Sequence, residues 1–123
     1  MKTIHTAKAP EAIGPYSQAI VHGGLLFTSG QIAINPASGQ VEADTIEGQT
    51  EQVMKNLAAL LEEAGASFDS VIKTTCFLSD MADFAAFNAI YGAYFVSKPA
   101  RSCVAAKQLP KNVLVEVELI AAV

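Results

Sequence analysis

Apolar residues along this chain recur with two different periods, and the switches between them mark its elements. Over residues 45–64, Val53, Leu57, Leu60, Leu61 and Ala64 fall at three- and four-residue steps, forming one stripe of an amphipathic helix. Asp44 is expected to cap this helix, with Glu47 completing a capping-box pair, and Gly65 suits the left-handed position that ends it. Gly48, inside the first turn, costs about 1 kcal/mol relative to Ala. A second helix is expected over residues 82–96, capped by Asp80. Phe84, Phe87, Tyr91, Tyr94 and Phe95 share one of its faces, and Pro99 lies beyond its end.

The other apolar stretches are short, alternating or β-branched. Residues 2–5, 17–21 and 25–32 read as strands, the last two joined by a turn at His22-Gly23-Gly24, and Asn35-Pro36 through Gly39 as a loop. Residues 71–78 read as a buried strand, and residues 101–108 and 113–121 as two more, with Leu109-Pro110-Lys111-Asn112 turning the chain between them. The order β-β-β-α-β-α-β-β implies an α+β sandwich, a mixed sheet of five or six strands with two helices packed on one face. Taken in chain order, the last two strands pair with each other.

In residues 113–121, Val113, Val115, Val117 and Leu119 share one side, while Leu114, Glu116, Glu118 and Ile120 share the other. In residues 101–108, Arg101, Cys103 and Ala105 alternate with Ser102, Val104 and Ala106. Each strand is expected to turn its small or apolar side to the helices. The mixed side would then form an oligomer interface lined with functional groups.

Composition supports that interface. The 123 residues fit one domain, 1–123, and 51% of them are hydrophobic against 16% charged, with a mean hydropathy of +0.33. A monomer of this size cannot readily hide so much apolar surface, so self-association is expected. Net charge is −4, and the 8 Lys and Arg are scattered, which gives nucleic-acid binding no electrostatic support. Residues 1–11 hold no apolar signal segment and no run reaches membrane-spanning length, so the expectation is a cytoplasmic protein without a membrane partner. Cys76 and Cys103 sit in apolar runs without Cys-x-x-Cys spacing, which reads as reduced thiols. His5 and His22 have no further ligand at zinc spacing, so no metal is expected.

Arg101 is the first candidate for chemistry. It opens a strand whose next five residues are uncharged, after Pro99-Ala100, and its planar fork matches a carboxylate; an ion pair with Glu116, Glu118 or a neighbouring subunit would explain it as well. Glu116 and Glu118, roughly 6.5–7 Å apart on one side of a strand, can position water or can simply form a solvated face. Gly14-Pro15-Tyr16-Ser17-Gln18 and Thr28-Ser29-Gly30-Gln31 offer hydroxyls and exposed N–H groups for a small anion, although turn chemistry accounts for both. Cys103, two positions after Arg101, is a conceivable nucleophile, but packing as a small hydrophobe explains it better.

Ile13-Gly-Pro-Tyr-Ser-Gln, Phe27-Thr-Ser-Gly-Gln-Ile, Asn35-Pro-Ala-Ser-Gly, Val71-Ile-Lys-Thr-Thr-Cys-Phe-Leu, Asn88, Pro99-Ala-Arg-Ser-Cys-Val and Leu114-Val-Glu-Val-Glu together resemble the RidA/YjgF family. The likeness covers essentially the whole chain, and Arg101 in the Pro-Ala-Arg-Ser string matches the deaminase-competent branch. The resemblance implies a chorismate-mutase-like fold in which the last strand inserts beside the strand ending at Thr28-Ser29, bringing Glu116 near Ser29. It implies a homotrimer with clefts between subunits as active sites. There Arg101 would bind a substrate carboxylate, Ser29, Gly30, Asn88, Glu116 and the Cys103 backbone would shape the pocket, and Tyr16 would close it from the adjacent subunit. The segment Val96-Ser97-Lys98 is shorter than the matching loop in some relatives, which bears on the pocket rim. The implied activity, without any cofactor, is hydrolysis of 2-iminopropanoate or 2-iminobutanoate, products of pyridoxal-phosphate dehydratases, with Glu116 and a water acting on the imine carbon. The alternatives are an endoribonuclease or translation inhibitor, and a non-catalytic small-acid-binding or chaperone-like trimer using the same Arg101.

Overall fold

The helical stripe forms α1 (Ile46–Glu63), with Val53, Leu57, Leu60 and Leu61 almost wholly buried, in a computed structural model that describes residues 1–123. Its cap is Thr45 rather than Asp44: Thr45 is extended, and its Oγ1 accepts a hydrogen bond from the Gly48 N–H at 3.1 Å. This one-residue shift puts Gly48, not Glu47, at the third helical position and removes the expected capping box. It also explains the glycine. A Cβ on Gly48 would fall 2.9 Å from the Ala43 Cβ and 3.1 Å from Thr45 Oγ1, so its absence lets the preceding chain fold over the first turn. Gly65, at φ +76°, ends the helix as expected.

The second helix is shorter than its pattern. Asp80 Oδ1 does accept from the Ala82 N–H at 2.8 Å, but the next residues, Met81–Asp83, form a 3-10 turn, and α2 spans only Phe84–Tyr94. Phe95 departs from helical geometry at φ −94°, ψ 60°, and turns its ring back into the core, which leaves Val96 exposed.

The strands are β1 (Lys2–Ile4), β2 (Ala19–His22), β3 (Leu25–Thr28), β4 (Ile34–Asn35), β5 (Gln40–Val41), β6 (Val71–Leu78), β7 (Ala100–Ala105) and β8 (Val115–Ala122). β4 and β5 form a small separate ribbon around the Asn35–Gly39 loop; the other six make one sheet in the order β1-β2-β3-β8-β6-β7. All neighbours are antiparallel except β6 and β7, which run parallel on either side of α2. The last two strands therefore do not pair with each other. Val115, Val117, Leu119 and Ala121 are 0–2% exposed, and a strand so apolar is best placed in the sheet centre, between β3 and β6. The two helices cover one face of this sheet, and no helix is long and apolar enough to cross a membrane.

The face expected for β7 is reversed. Its register pairs Arg101 with Thr74 and Cys103 with Cys76, both fully buried under the helices, so Arg101 and Cys103 turn toward α2. Parallel pairing with β6 sets the pleat, and at a sheet edge an arginine can lie against the helix with its tip still reaching solvent. Ser102 and Val104 take the open face instead. There Phe27 and Val104 are 41% and 49% exposed, beside half-buried Phe77 and Ile120, and no segment of the chain covers them.

Candidate functional site

Two groups of site residues emerge, one on each face of the sheet. The first is built by an irregularity between β3 and β8. Phe27 pairs with Ile120, and the ladder resumes where Gln31 pairs with Val117 through bonds of 2.8 and 3.1 Å. Thr28, Ser29 and Gly30 thus oppose only Glu118 and Leu119, the extra residue of a β-bulge. The expected strand over residues 25–32 breaks here for that reason. Side chains hold the bulge: Thr28 Oγ1 accepts from the Leu119 N–H at 3.0 Å, and Ser29 Oγ donates to the Ser17 carbonyl at 2.6 Å. Ser29 N–H donates to the Gln18 carbonyl at 2.9 Å, whereas the Gly30 N–H has no partner in the chain.

Glu116 extends from β8 across this bulge. A Cβ on Gly30 would overlap Glu116 Oε2 and lie 2.8 Å from its Cδ, so only glycine leaves room for the carboxyl group. Burial first, and then the charge of Glu118 two positions on, raise the Glu116 pKa above the usual carboxylate range. Tyr16, Ser29, Gly30, Glu116 and Glu118 line a cleft of about 660 Å³. Tyr16 stands at its mouth, 53% exposed, with its hydroxyl accepting from the Ile13 N–H at 3.4 Å.

One wall of this cleft depends on a residue whose role sequence reading missed. Gln18 is 3% exposed; its Oε1 accepts from the Thr6 N–H at 2.8 Å, and its Nε2 donates to the carbonyls of Thr6, Ala9 and Pro10. It pins residues 6–10 beside the cleft. The available signal was a long polar side chain just ahead of an apolar strand, in a position that must turn inward. Asn56 plays the same part from α1. Fully buried, it donates to the Ile32 and Ile34 carbonyls at 3.1 and 3.0 Å, securing the chain just after the bulge.

The second group surrounds Arg101. Its Nη1 donates to Asn88 Oδ1 at 2.6 Å, and its guanidinium carbon lies 4.8 Å from the Tyr91 ring centre and 5.3 Å from that of Phe84. Asn88, Tyr91, Lys98 and Arg101 help line a cleft of about 350 Å³ that no acidic side chain enters. The two contacts at ion-pair distance, Lys8–Glu62 and the hydrogen-bonded His5–Glu11, do not involve Arg101, Glu116 or Glu118. An intrachain ion pair therefore does not account for Arg101. Cys103 is half-buried beside it, and burial raises its thiol pKa more than the Arg101 charge lowers it, which leaves a poor nucleophile. Nowhere in the chain do three His, Cys, Asp or Glu side chains converge as a metal site would need.

Of the expected site residues, the structure brings together Tyr16, Ser29, Gly30 and Glu116, and separately Asn88, Arg101 and Cys103. Within one chain the two groups do not meet, because Glu116 pairs with Phe77 on the open face while Arg101 lies under α2. The family model described as Endoribonuclease L-PSP matches residues 6–123. This chain belongs to that family, the RidA/YjgF/RutC family. A family member from Lactococcus lactis named Putative regulator AldR is 57% identical, over 100% of this chain and 98% of its own. The 2-iminobutanoate/2-iminopropanoate deaminase of Escherichia coli K12 is 47% identical, over 98% of this chain and 96% of its own. Among solved members, a putative endoribonuclease from Thermotoga maritima superposes with a TM-score of 0.97 at 48% identity, covering 100% of this chain and 98% of that one. E. coli TdcF, solved with bound serine, superposes at 0.94 with 41% identity, covering 100% and 99%.

Proposed function

We propose that this chain is a cofactor-independent deaminase of small 2-imino acids, working in the cytoplasm as a homotrimer whose active sites form between subunits. The observation that carries the reading is the state of Arg101: its guanidinium is held in place by neutral groups alone, beside a cleft without acidic side chains. A cation so prepared favours an anionic ligand. The position of Glu116 on the other sheet face supports the assembly, since a second copy is needed to bring a proton-transfer group to the bound anion. The deaminase name of the E. coli relative and the bound serine in TdcF support a ligand of amino-acid size.

In this mechanism Arg101 grips the carboxylate of 2-iminopropanoate or 2-iminobutanoate and fixes the imine carbon. Water adds to that carbon, forming a C–O bond, while Glu116 of the facing copy takes a proton from the water and delivers one to nitrogen. Glu116 then passes the hydroxyl proton of the resulting carbinolamine to nitrogen as the C–N bond breaks, so ammonia departs and the 2-oxo acid remains, with one water consumed. Its raised pKa makes Glu116 a stronger base than an ordinary carboxylate, which suits a group that must both take and give a proton.

The test adds purified protein to a pyridoxal-phosphate threonine or serine dehydratase reaction and follows 2-oxo acid release. Wild-type protein should accelerate release, and Arg101→Ala should return it to the protein-free rate with the oligomer intact. A fully active Arg101→Ala protein would overturn the assignment. A binding protein without turnover would instead hold the acid and leave the release rate unchanged.

A further inference from the structure

Phe84, Asn88 and Tyr91 occupy positions i, i+4 and i+7 of α2, and all three meet the guanidinium of Arg101. Their contacts divide the work by direction. An aromatic ring beside a guanidinium uses none of its N–H groups, while the hydrogen bond that Arg101 Nη1 donates to Asn88 Oδ1 uses one of them. The two rings pack against the guanidinium without using its donors, Asn88 takes one of them, and the remaining donors bond to no other group of this chain. A carboxylate partner would have held Arg101 equally well but would have occupied the fork.

The rings are themselves anchored. Tyr91 is 7% exposed, its hydroxyl lies 2.7 Å from Oγ1 of the fully buried Thr74, and its ring stacks on Phe95 with centres 4.4 Å apart. Thr74 is the residue paired with Arg101 across β6 and β7, so the platform is tied to the strand next to the cation it supports. Burial is the main cause raising the Tyr91 pKa, so its hydroxyl stays protonated and the platform uncharged at neutral pH.

We propose that Tyr91, with Phe84 beside it, is a positioning residue that holds the Arg101 guanidinium flat so that its free edge receives a substrate carboxylate. This rests on the deaminase reading and adds a requirement to it: charge at position 101 is not enough without the aromatic seat.

The experiment measures binding of a stable 2-oxo acid, 2-oxobutanoate, by calorimetry to the intact oligomer, alongside the dehydratase-coupled rate. Tyr91→Leu should weaken 2-oxobutanoate binding about tenfold or more, the scale of losing a partly desolvated cation–π contact. Tyr91→Phe keeps the ring and should bind within about threefold of wild type, although losing the Thr74 contact lowers its melting temperature. Phe84→Leu, at a less buried position, repeats the test where folding is less at risk and should also weaken binding. Equal affinity in wild type, Tyr91→Leu and Phe84→Leu, with Arg101→Ala failing to bind, would overturn the positioning role and leave the deaminase reading standing. Undiminished binding by Arg101→Ala would remove both.

Discussion

At the scale of single residues, the candidate site depends on small differences in environment. Glu116 and Glu118 are two positions apart on one strand face, both half-buried; the Glu116 carboxyl group lies against Gly30 of the bulge, with Glu118 as its like-charged neighbour. That arrangement predicts the effect of Glu118→Gln. Removing the second charge lowers the Glu116 pKa, because only burial is left to raise it. If Glu116 accepts the proton of the attacking water, activity falls as pH drops through its pKa. The acid limb of kcat/KM should therefore move to lower pH in Glu118→Gln, with the plateau retained. A pH–rate profile identical to wild type would show that the two carboxylates are not coupled.

At the scale of elements, the buried polar residues of α1 join what hydrophobic packing alone would leave loose. Gln49 donates to the Ala43 carbonyl at 3.0 Å and accepts from the Leu114 N–H at 2.8 Å, while Asn56 holds the carbonyls on either side of Ala33. Asn56→Leu fits a helix but leaves two carbonyls without their donor. A loss of about 1–3 kcal/mol in urea-unfolding stability is expected. Because Ile32 and Ile34 also line the Glu116 cleft, catalysis should decline with it. These residues show where sequence patterning stops being informative. A polar residue on the inward stripe of a helix is visible as a break in the pattern, but the backbone groups it serves lie outside the helix, at Ala43 and Leu114 for Gln49 and at Ile32 and Ile34 for Asn56. Gly48 teaches the converse. Propensity counts it as a defect, whereas the packed chain at Ala43 and Thr45 requires it.

At the scale of the whole molecule, the proposed assembly would complete the two half-sites and cover the bare sheet face at once. Phe27, Phe77, Val104 and Ile120 present apolar surface that no segment of this chain covers. The double variant Phe27→Lys, Val104→Lys places charge on that face without touching Arg101 or Glu116. It should sediment as a monomer and lose imine hydrolysis while keeping its far-ultraviolet circular dichroism. A monomeric variant with full activity would show that one chain suffices.

The periodicities of residues 45–64 and 82–96 and the apolar patterns of residues 71–78 and 113–121 determined two helices, two buried strands and an α+β class, because burial demands one apolar face per element whatever its partners. The short motifs identified the family, and they single out Arg101 and Glu116 as residues worth attention. The family motifs implied that the last strand lies beside the one ending at Thr28-Ser29, but chain pattern did not; tertiary structure alone decided that β8 also pairs with β6, and that β7 pairs in parallel and turns Arg101 under α2. It also placed a bulge at Gly30 that seats Glu116. The physical reason is that local pattern specifies which side of a strand is buried only once its neighbour is known. Strand neighbours are chosen by competition among distant segments for the same backbone hydrogen bonds and the same apolar cover.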